Sequence, residues 1–205
     1  MVDRSFFHRS GYRPEDWFSR LPTLETKRLI LRRVSLKDAQ DVFAYSSDPQ
    51  VAKHVLLTPH RTVQDSRGYL RYLIRQYRDS EPSSYGIVLK ETGAVVGTIG
   101  YMGYSEENRS AEVGYSLARS CWNQGLMTEA LSALLEFSFR EMKLHRVWAV
   151  HEADNPASGR VMQKCGMRCE GLQKEAVFNK GRFADVVLYA MLSSEWPPAV
   201  TDRSL

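Results

Sequence analysis

Residues 112–130, EVGYSLARSCWNQGLMTEA, change period halfway, and that change dictates a strand running through a turn into a helix. Ala111, Val113, Tyr115 and Leu117 fall on one face, and Glu112, Gly114 and Ser116 on the other. This is the two-residue alternation of a half-buried strand. Alternation breaks over 118–123. Met127, Ala130, Leu131, Leu134, Leu135 and Ser138 then form a stripe at helical spacing. A helix that starts from such a turn leaves its first backbone N–H groups without partners, and its aligned peptides place about half a positive charge there. That terminus suits a phosphate or pyrophosphate, and Gly125 would let one approach the backbone. A purely structural turn reads the same way, so the loop alone decides nothing.

The second informative cluster is residues 155–166, NPASGRVMQKCG. Asn155 is a good N-cap, Pro156 suits the first helical position, and Gly166 suits the residue past the end. Ser158, Val161, Met162 and Cys165 share one face. A well-capped short helix accounts for this pattern without any ligand.

Around these clusters the pattern predicts a first strand over 26–32 and Ser35 as an N-cap with Asp38 as its acidic partner. A short helix starts at Asp48-Pro49. A longer one follows Thr62, with Val63, Arg67, Leu70, Ile74 and Tyr77 along its buried side. Strands over 85–90 and 94–104 are joined by Glu91-Thr92-Gly93, where Gly accepts the positive φ of a hairpin. Further strands are expected over 108–117, 146–151, 172–178 and 182–191, the last two around a turn at Asn179-Lys180-Gly181. Residues 1–23 read as an aromatic arm whose Phe6, Phe7, Tyr12, Trp17 and Phe18 dock on the domain or on a second subunit. The domain itself is expected over 24–193, and 194–205 form a tail.

Composition excludes several classes. A net charge of +4 with no basic run longer than Arg32-Arg33 argues against nucleic acid as the main partner. Cys121, Cys165 and Cys169 are odd in number, without metal or disulfide spacing, which suggests reduced thiols. The N-terminus lacks the apolar core of a signal peptide and no apolar run reaches the length of a membrane span, so a cytoplasmic location is expected. The five histidines show no metal-ligand spacing, and no metal is expected.

The first cluster resembles the acyl-CoA pyrophosphate loop of the GNAT superfamily of N-acetyltransferases, and more closely its Rim-type branch, which modifies ribosomal-protein N-termini. Glu112-Val113-Gly114-Tyr115, Trp122, Gly125, Met127 and Thr128-Glu129-Ala130 match that form; Trp122 replaces the usual Gln or Arg, and Asn123 a Gly. Asn155, Ser158, Lys164, Gly166, Met167, Glu170 and Gly171 satisfy the branch's second signature, with Met167 for the commoner Phe. Gly181, Arg182, Asp185, Tyr189 and Ala190 continue it. The opening LETKRLILR is similar as well, so the resemblance spans about 24–193.

The resemblance implies an α/β (α+β) GNAT fold: a mixed, mostly antiparallel sheet of six or seven strands, splayed at its centre and flanked by about four helices. It implies acetyl-CoA as cofactor, its pantetheine arm lying between the fourth and fifth strands. Val113, Tyr115, Ser116 and Leu117 would offer backbone to that arm. Asn123, Gln124, Gly125, Leu126, Met127 and Thr128 would cradle the pyrophosphate, and Asn155, Ser158 and Lys164 would face the cofactor from the other side.

Direct attack of an amine on the thioester needs a neutral amine, a polarised carbonyl and a proton for the thiolate. Deprotonating a lysine side chain at pH 7 costs about 4–5 kcal/mol, and an α-amino group about 1. A site without a strong base is therefore better matched to N-terminal amines. Glu112 is the candidate base or water-relay carboxylate, the alternative being a plain ion pair with Arg109. In some Rim-type members the base stands on the first strand of the last hairpin; that position is Val177 here, and Glu175, two residues away, is the backup. Ser158 is the candidate acid, or hydrogen-bond donor to the thiolate, and Tyr115 could do the same work or be a core tyrosine. The acceptor could be a protein N-terminus, a small amine or an aminoglycoside-like drug. A non-catalytic acyl-CoA sensor and a homodimer stay open.

Overall fold

The computed structural model describes residues 16–56 and 58–197. Phe6, Phe7 and Tyr12 of the arm therefore lie outside the described residues. Its last part is a short helix, α1 (Asp16–Ser19), which buries Phe18 edge-on against Tyr101 and Tyr104 and sets Trp17 against Phe137.

The first strand expected over 26–32 is split. β1 (Leu24–Glu25) and β2 (Leu29–Arg32) form a tight antiparallel pair, closed where Thr26 N–H donates to Leu29 O at 3.0 Å. Ser35 and Asp38 cap one another as their spacing predicts. They lead through one 3-10 turn into α2 (Ala39–Ser46). Asp48 caps α3 (Pro49–Ala52), and Thr62 caps α4 (Val63–Asp79). Ser66, Leu70, Leu73 and Tyr77 make the buried side of α4, whereas Arg67 is exposed. The stripe is centred one residue away from the expected line, which turns the guanidinium to solvent.

The rest alternates as expected: β3 (Ser84–Leu89), β4 (Val95–Ser105), β5 (Ser110–Leu117), α5 (Leu126–Arg140), β6 (Arg146–Glu152), α6 (Pro156–Lys164), β7 (Arg168–Asn179) and β8 (Arg182–Leu192). Among the described residues these strands make one sheet in the order β1-β2-β3-β4-β5-β6-β8-β7. It has eight strands because the first splits in two. Neighbours are antiparallel except β5 and β6. This is the mixed, mostly antiparallel sheet flanked by helices that the resemblance implies.

Strand parity sorts the helices. Thr98 of β4 meets the Tyr69 hydroxyl of α4 at 3.4 Å, while Tyr101, of opposite parity, meets Ser138 of α5 at 2.7 Å. One face thus carries α2 and α4, the other α5 and α6. The expected stripe of α5 is buried throughout, with Leu131, Leu134 and Leu135 fully enclosed. No helix among the described residues is long and apolar enough to cross a membrane.

The sheet is interrupted at its middle. β5 and β6 pair only where Ser110–Glu112 meets Arg146–Trp148. Beyond that β6 stays with β8 as far as Glu152, and β5 stays with β4 as far as Leu117. The sheet opens into a wedge whose apex is Glu112.

Candidate active site

The wedge contains a cavity of about 480 Å³. Its β5 wall is Tyr115, Ser116 and Leu117. Because Ala118 N–H bonds to Val96 O of β4, alternation turns the Tyr115 and Leu117 backbone away from β4, toward the side that β6 has left. The Leu117 carbonyl is already taken, by the Trp122 indole N–H at 2.8 Å. Val113 contributes no lining side chain; it is buried in the core.

At the wide end stands the N-terminus of α5. Gly125 caps it with φ +75°, in the left-handed region, and Asn123 is also left-handed at φ +59°. Glu129 N–H bonds to Gly125 O, so the helix begins there, and Leu126, Met127 and Thr128 keep first-turn N–H groups without helical acceptors. Gly125, Leu126, Met127, Thr128 and Asn123 all line the cavity, and Cys121 and Trp122 join them. Gln124 does not line it; its side chain folds back on Ser120 O at 2.8 Å.

A clamp behind this loop explains the split first strand. Glu129, in the first turn of α5, turns its carboxylate away from the cavity. It accepts from Thr26 Oγ1 at 2.6 Å, from Arg28 N–H at 2.8 Å and from Arg28 Nε at 2.7 Å. Burial works against the charge, but these hydrogen bonds and the guanidinium prevail and hold Glu129 below the usual carboxylate range. Arg28 also donates to Gln124 O at 2.9 Å, fastening the loop itself. Glu129→Ala is expected to speed amide exchange over 125–128 about tenfold or more, leaving the strand amides of β3 and β4 protected; hydrogen-exchange mass spectrometry reads both.

The opposite wall is α6, which supplies Asn155, Ala157, Ser158, Arg160, Val161 and Lys164. Asn155 is the N-cap residue, yet its side chain makes no capping bond, and it lines the cavity instead. The helix lies so close to β6 that a Cβ on Gly159 would stand 2.6 Å from the His151 ring. That approach brings Ser158 to Tyr115 across the wedge. The Tyr115 hydroxyl lies 2.9 Å from Ser158 Oγ and donates to Ser158 O at 3.1 Å. Burial pushes the Tyr115 hydroxyl well above its ordinary range, offset only in part by Ser158, so it carries its proton at neutral pH.

Glu112 sits at the apex but does not line the cavity. It is half-buried, and among the described residues it makes no ion pair, with Arg109 or any other cation. Burial raises its pKa. Glu175 is exposed on a bulge of β7 with φ +50° and does not line the cavity; its N–H donates to Asp185 at 2.8 Å.

Gln50, Val51, Lys53, His54 and Val55, from α3 and the segment after it, form a third wall of the cavity, from the early helices that the resemblance implies for one wall of the acceptor cleft. Arg160 and Val161 follow from Ser158 and Ala157 by helical spacing. With Lys53 and Lys164, Arg160 makes three cations on the lining, a fit for a polyanion.

The comparisons agree with this geometry. A family model for the acetyltransferase (GNAT) domain matches residues 28–168. An uncharacterised N-acetyltransferase, p20, of Bacillus licheniformis is 33% identical over 176 residues, covering 86% of this chain and 99% of that protein. The [ribosomal protein uS5]-alanine N-acetyltransferase of Escherichia coli is 24% identical over 184 residues, covering 85% and 93%. Among solved structures, Mycobacterium smegmatis RimJ in complex with CoA-disulfide superposes with a TM-score of 0.79 at 26% identity, covering 87% of this chain and 91% of that one.

Proposed function

The chain belongs to the acetyltransferase (GNAT) family and is an acetyl-CoA-dependent N-acetyltransferase, and from that premise we propose that its acceptor is the α-amino group of a protein N-terminus. The observation that carries the reading is the wedge between β5 and β6, which leads from the free N–H groups of α5 to the Tyr115–Ser158 pair. The 123–128 backbone would hold the pyrophosphate, and Tyr115 with the Leu117 N–H would offer backbone groups to the pantetheine arm. The three lining cations and Asn155 would hold the remaining polar groups.

In the transfer, the amine attacks the thioester carbonyl and the C–S bond breaks. Ser158 donates a hydrogen bond to the departing thiolate, with Tyr115 behind it as proton source. Glu112 receives, through water, the proton that the nitrogen loses after attack. The ribosomal-protein relative favours an N-terminal acceptor, as does the low cost of deprotonating an α-amine. A homodimer through the exposed outer strand β7 belongs to the same reading, and sedimentation measures it.

The test begins with titration calorimetry of acetyl-CoA. Thiol release is then compared for peptides starting with Ala or Ser, for the same peptides Nα-blocked but carrying lysine, and for polyamines and aminoglycosides. Free N-termini should exceed blocked peptides in kcat/KM by about tenfold or more. Turnover of polyamines or drugs alone would sink the acceptor assignment.

Glu112 has its own signature. Its raised pKa means that the basic form is lost, as pH falls, above the usual carboxylate range. Below that point log kcat/KM should fall more steeply than amine protonation alone requires. Glu112→Gln is expected to remove the extra slope and lower kcat/KM about 10²-fold; an unchanged profile excludes Glu112 as the base.

A further inference from the structure

The acetyl transfer leaves a buried cluster at the end of β6 without a task. Glu152, the last residue of that strand, is 5% exposed and both its oxygens are engaged. Oε1 accepts from Asn179 Nδ2 at 2.5 Å; Oε2 accepts from Arg182 at 2.6 Å and from the His54 imidazole Nδ1 at 3.1 Å. Asp154 reaches the same Nδ1 at 3.3 Å with one oxygen and Arg182 at 3.6 Å with the other. Lys180, in the turn between β7 and β8, donates to the carbonyl of Val55, the residue after His54.

Carboxylates only accept, so this arrangement requires a proton on Nδ1; in the neutral imidazole the lone pair is then on Nε2. Among the described residues Nε2 has no hydrogen-bond partner, and His54 lines the same cavity as Tyr115 and Ser158. His54, Glu152 and Asp154 also offer atoms within 4.8 Å of one another, as metal ligands would. Arg182 contacts both carboxylates and offsets one of their two charges, and the same carboxylates fix the orientation of the imidazole.

An ammonium acceptor must lose two protons to become an amide, one before attack and one after. On the premise of the N-acetyltransferase reading, we propose that His54 takes the first proton from the acceptor ammonium, with Glu152 and Asp154 as positioning residues. The N–H bond breaks toward Nε2 and its electron pair stays on nitrogen, which then attacks the thioester. The imidazolium formed faces Glu152 from β6, Asp154 from the following loop, and Arg182 and Lys180 from the last hairpin, with Lys53 beside it in the chain. It returns its proton to solvent past the exposed Asp154. The second proton goes to Glu112, Ser158 with Tyr115 supplies the thiolate, and the Glu112 proton then restores the hydroxyl pair through solvent, so one acceptor ammonium and one acetyl thioester give one amide, one thiol and one released proton. The ordinary range of an imidazole lies far nearer that of an α-amine than that of a lysine side chain, which matches the site to N-termini rather than lysines.

Two measurements on the full chain test this. In protein labelled with ¹⁵N-histidine, with His54→Gln assigning the signal, long-range ¹H–¹⁵N spectra should show the Nδ1–H tautomer at His54; an Nε2–H tautomer overturns the proposal. Thiol release is then compared for ethylamine, a cation at neutral pH, and methoxyamine, which is neutral there. His54→Gln should lose about a hundredfold in kcat/KM with ethylamine and a factor about tenfold smaller with methoxyamine, whereas Glu112→Gln loses equally with both. Equal losses for His54→Gln with the two amines overturn the proposal. If the wild type fails to bind acetyl-CoA, the N-acetyltransferase reading fails and this role falls with it, whatever the tautomer. If acetyl-CoA binds and neither amine reacts, the tautomer decides.

Discussion

Gly125→Glu is expected to weaken acetyl-CoA binding by about 10³-fold or more, beyond calorimetric detection. Gly125 sits at φ +75°, where a side chain costs about 1–2 kcal/mol, too little to unfold the domain. A Cβ there meets only Arg28 Nη2 at 3.6 Å, so nothing solid is displaced. The loss comes from electrostatics: a carboxylate would stand against the N–H groups offered to the pyrophosphate and draw Arg28 away from Gln124 O. Gly125→Ala carries the backbone strain without the charge, and about a tenfold loss is expected. Calorimetry on both variants, with circular dichroism for the fold, separates the contributions. Wild-type affinity in the glutamate variant would place the cofactor somewhere else.

The second large effect concerns the Tyr115–Ser158 pair. Ser158→Ala and Tyr115→Phe are each expected to lower kcat about 10²-fold while acetyl-CoA affinity stays within about threefold. Tyr115 has one proton and two neighbouring acceptors, the carbonyl and hydroxyl of Ser158. The hydroxyls therefore act in series, and the double variant should fall little further than either single one. Multiplicative losses would mean that they act independently. Stopped-flow measurement of thiol release, which separates chemistry from product release, gives the values.

The secondary structure of this chain is largely written in local patterns. The stripe on α5, the caps at Ser35, Asp48 and Thr62, and the positive φ of Gly93 and Gly125 are decided within a few residues of themselves. The same holds for the loop at 123–128 and, by helical spacing, for the α6 wall. What the sequence could not show are contacts between distant segments. Residues 26–28 read as strand because their β-pattern is good, and they turn because Glu129, about a hundred positions later, claims Thr26 and Arg28. His54 lies 98 residues from Glu152 and carries no motif of its own. Glu112 could be picked out as a carboxylate on the right strand, but its absence from the cavity wall depends on where β6 departs. Glu175 shared the right face only while β7 was assumed regular; the bulge between Gln173 and Val177 removes that alternation.

The departure of β6 has a mechanical consequence. β1 to β5 and β6 to β8 are two part-sheets joined by a ladder only three residues long, so Glu112 marks a pivot rather than the middle of a rigid plate. Across the open side, Tyr115 to Ser158 forms one latch, and His54 to Glu152 with Val55 to Lys180 forms another. Tyr115, Ser158 and His54 in these latches are groups that the proposed chemistry engages. A proton taken up by His54 would tighten its hold on Glu152, and a proton leaving Tyr115 would remove its hydrogen bond to Ser158, so the width of the slot and the progress of the reaction are mechanically coupled.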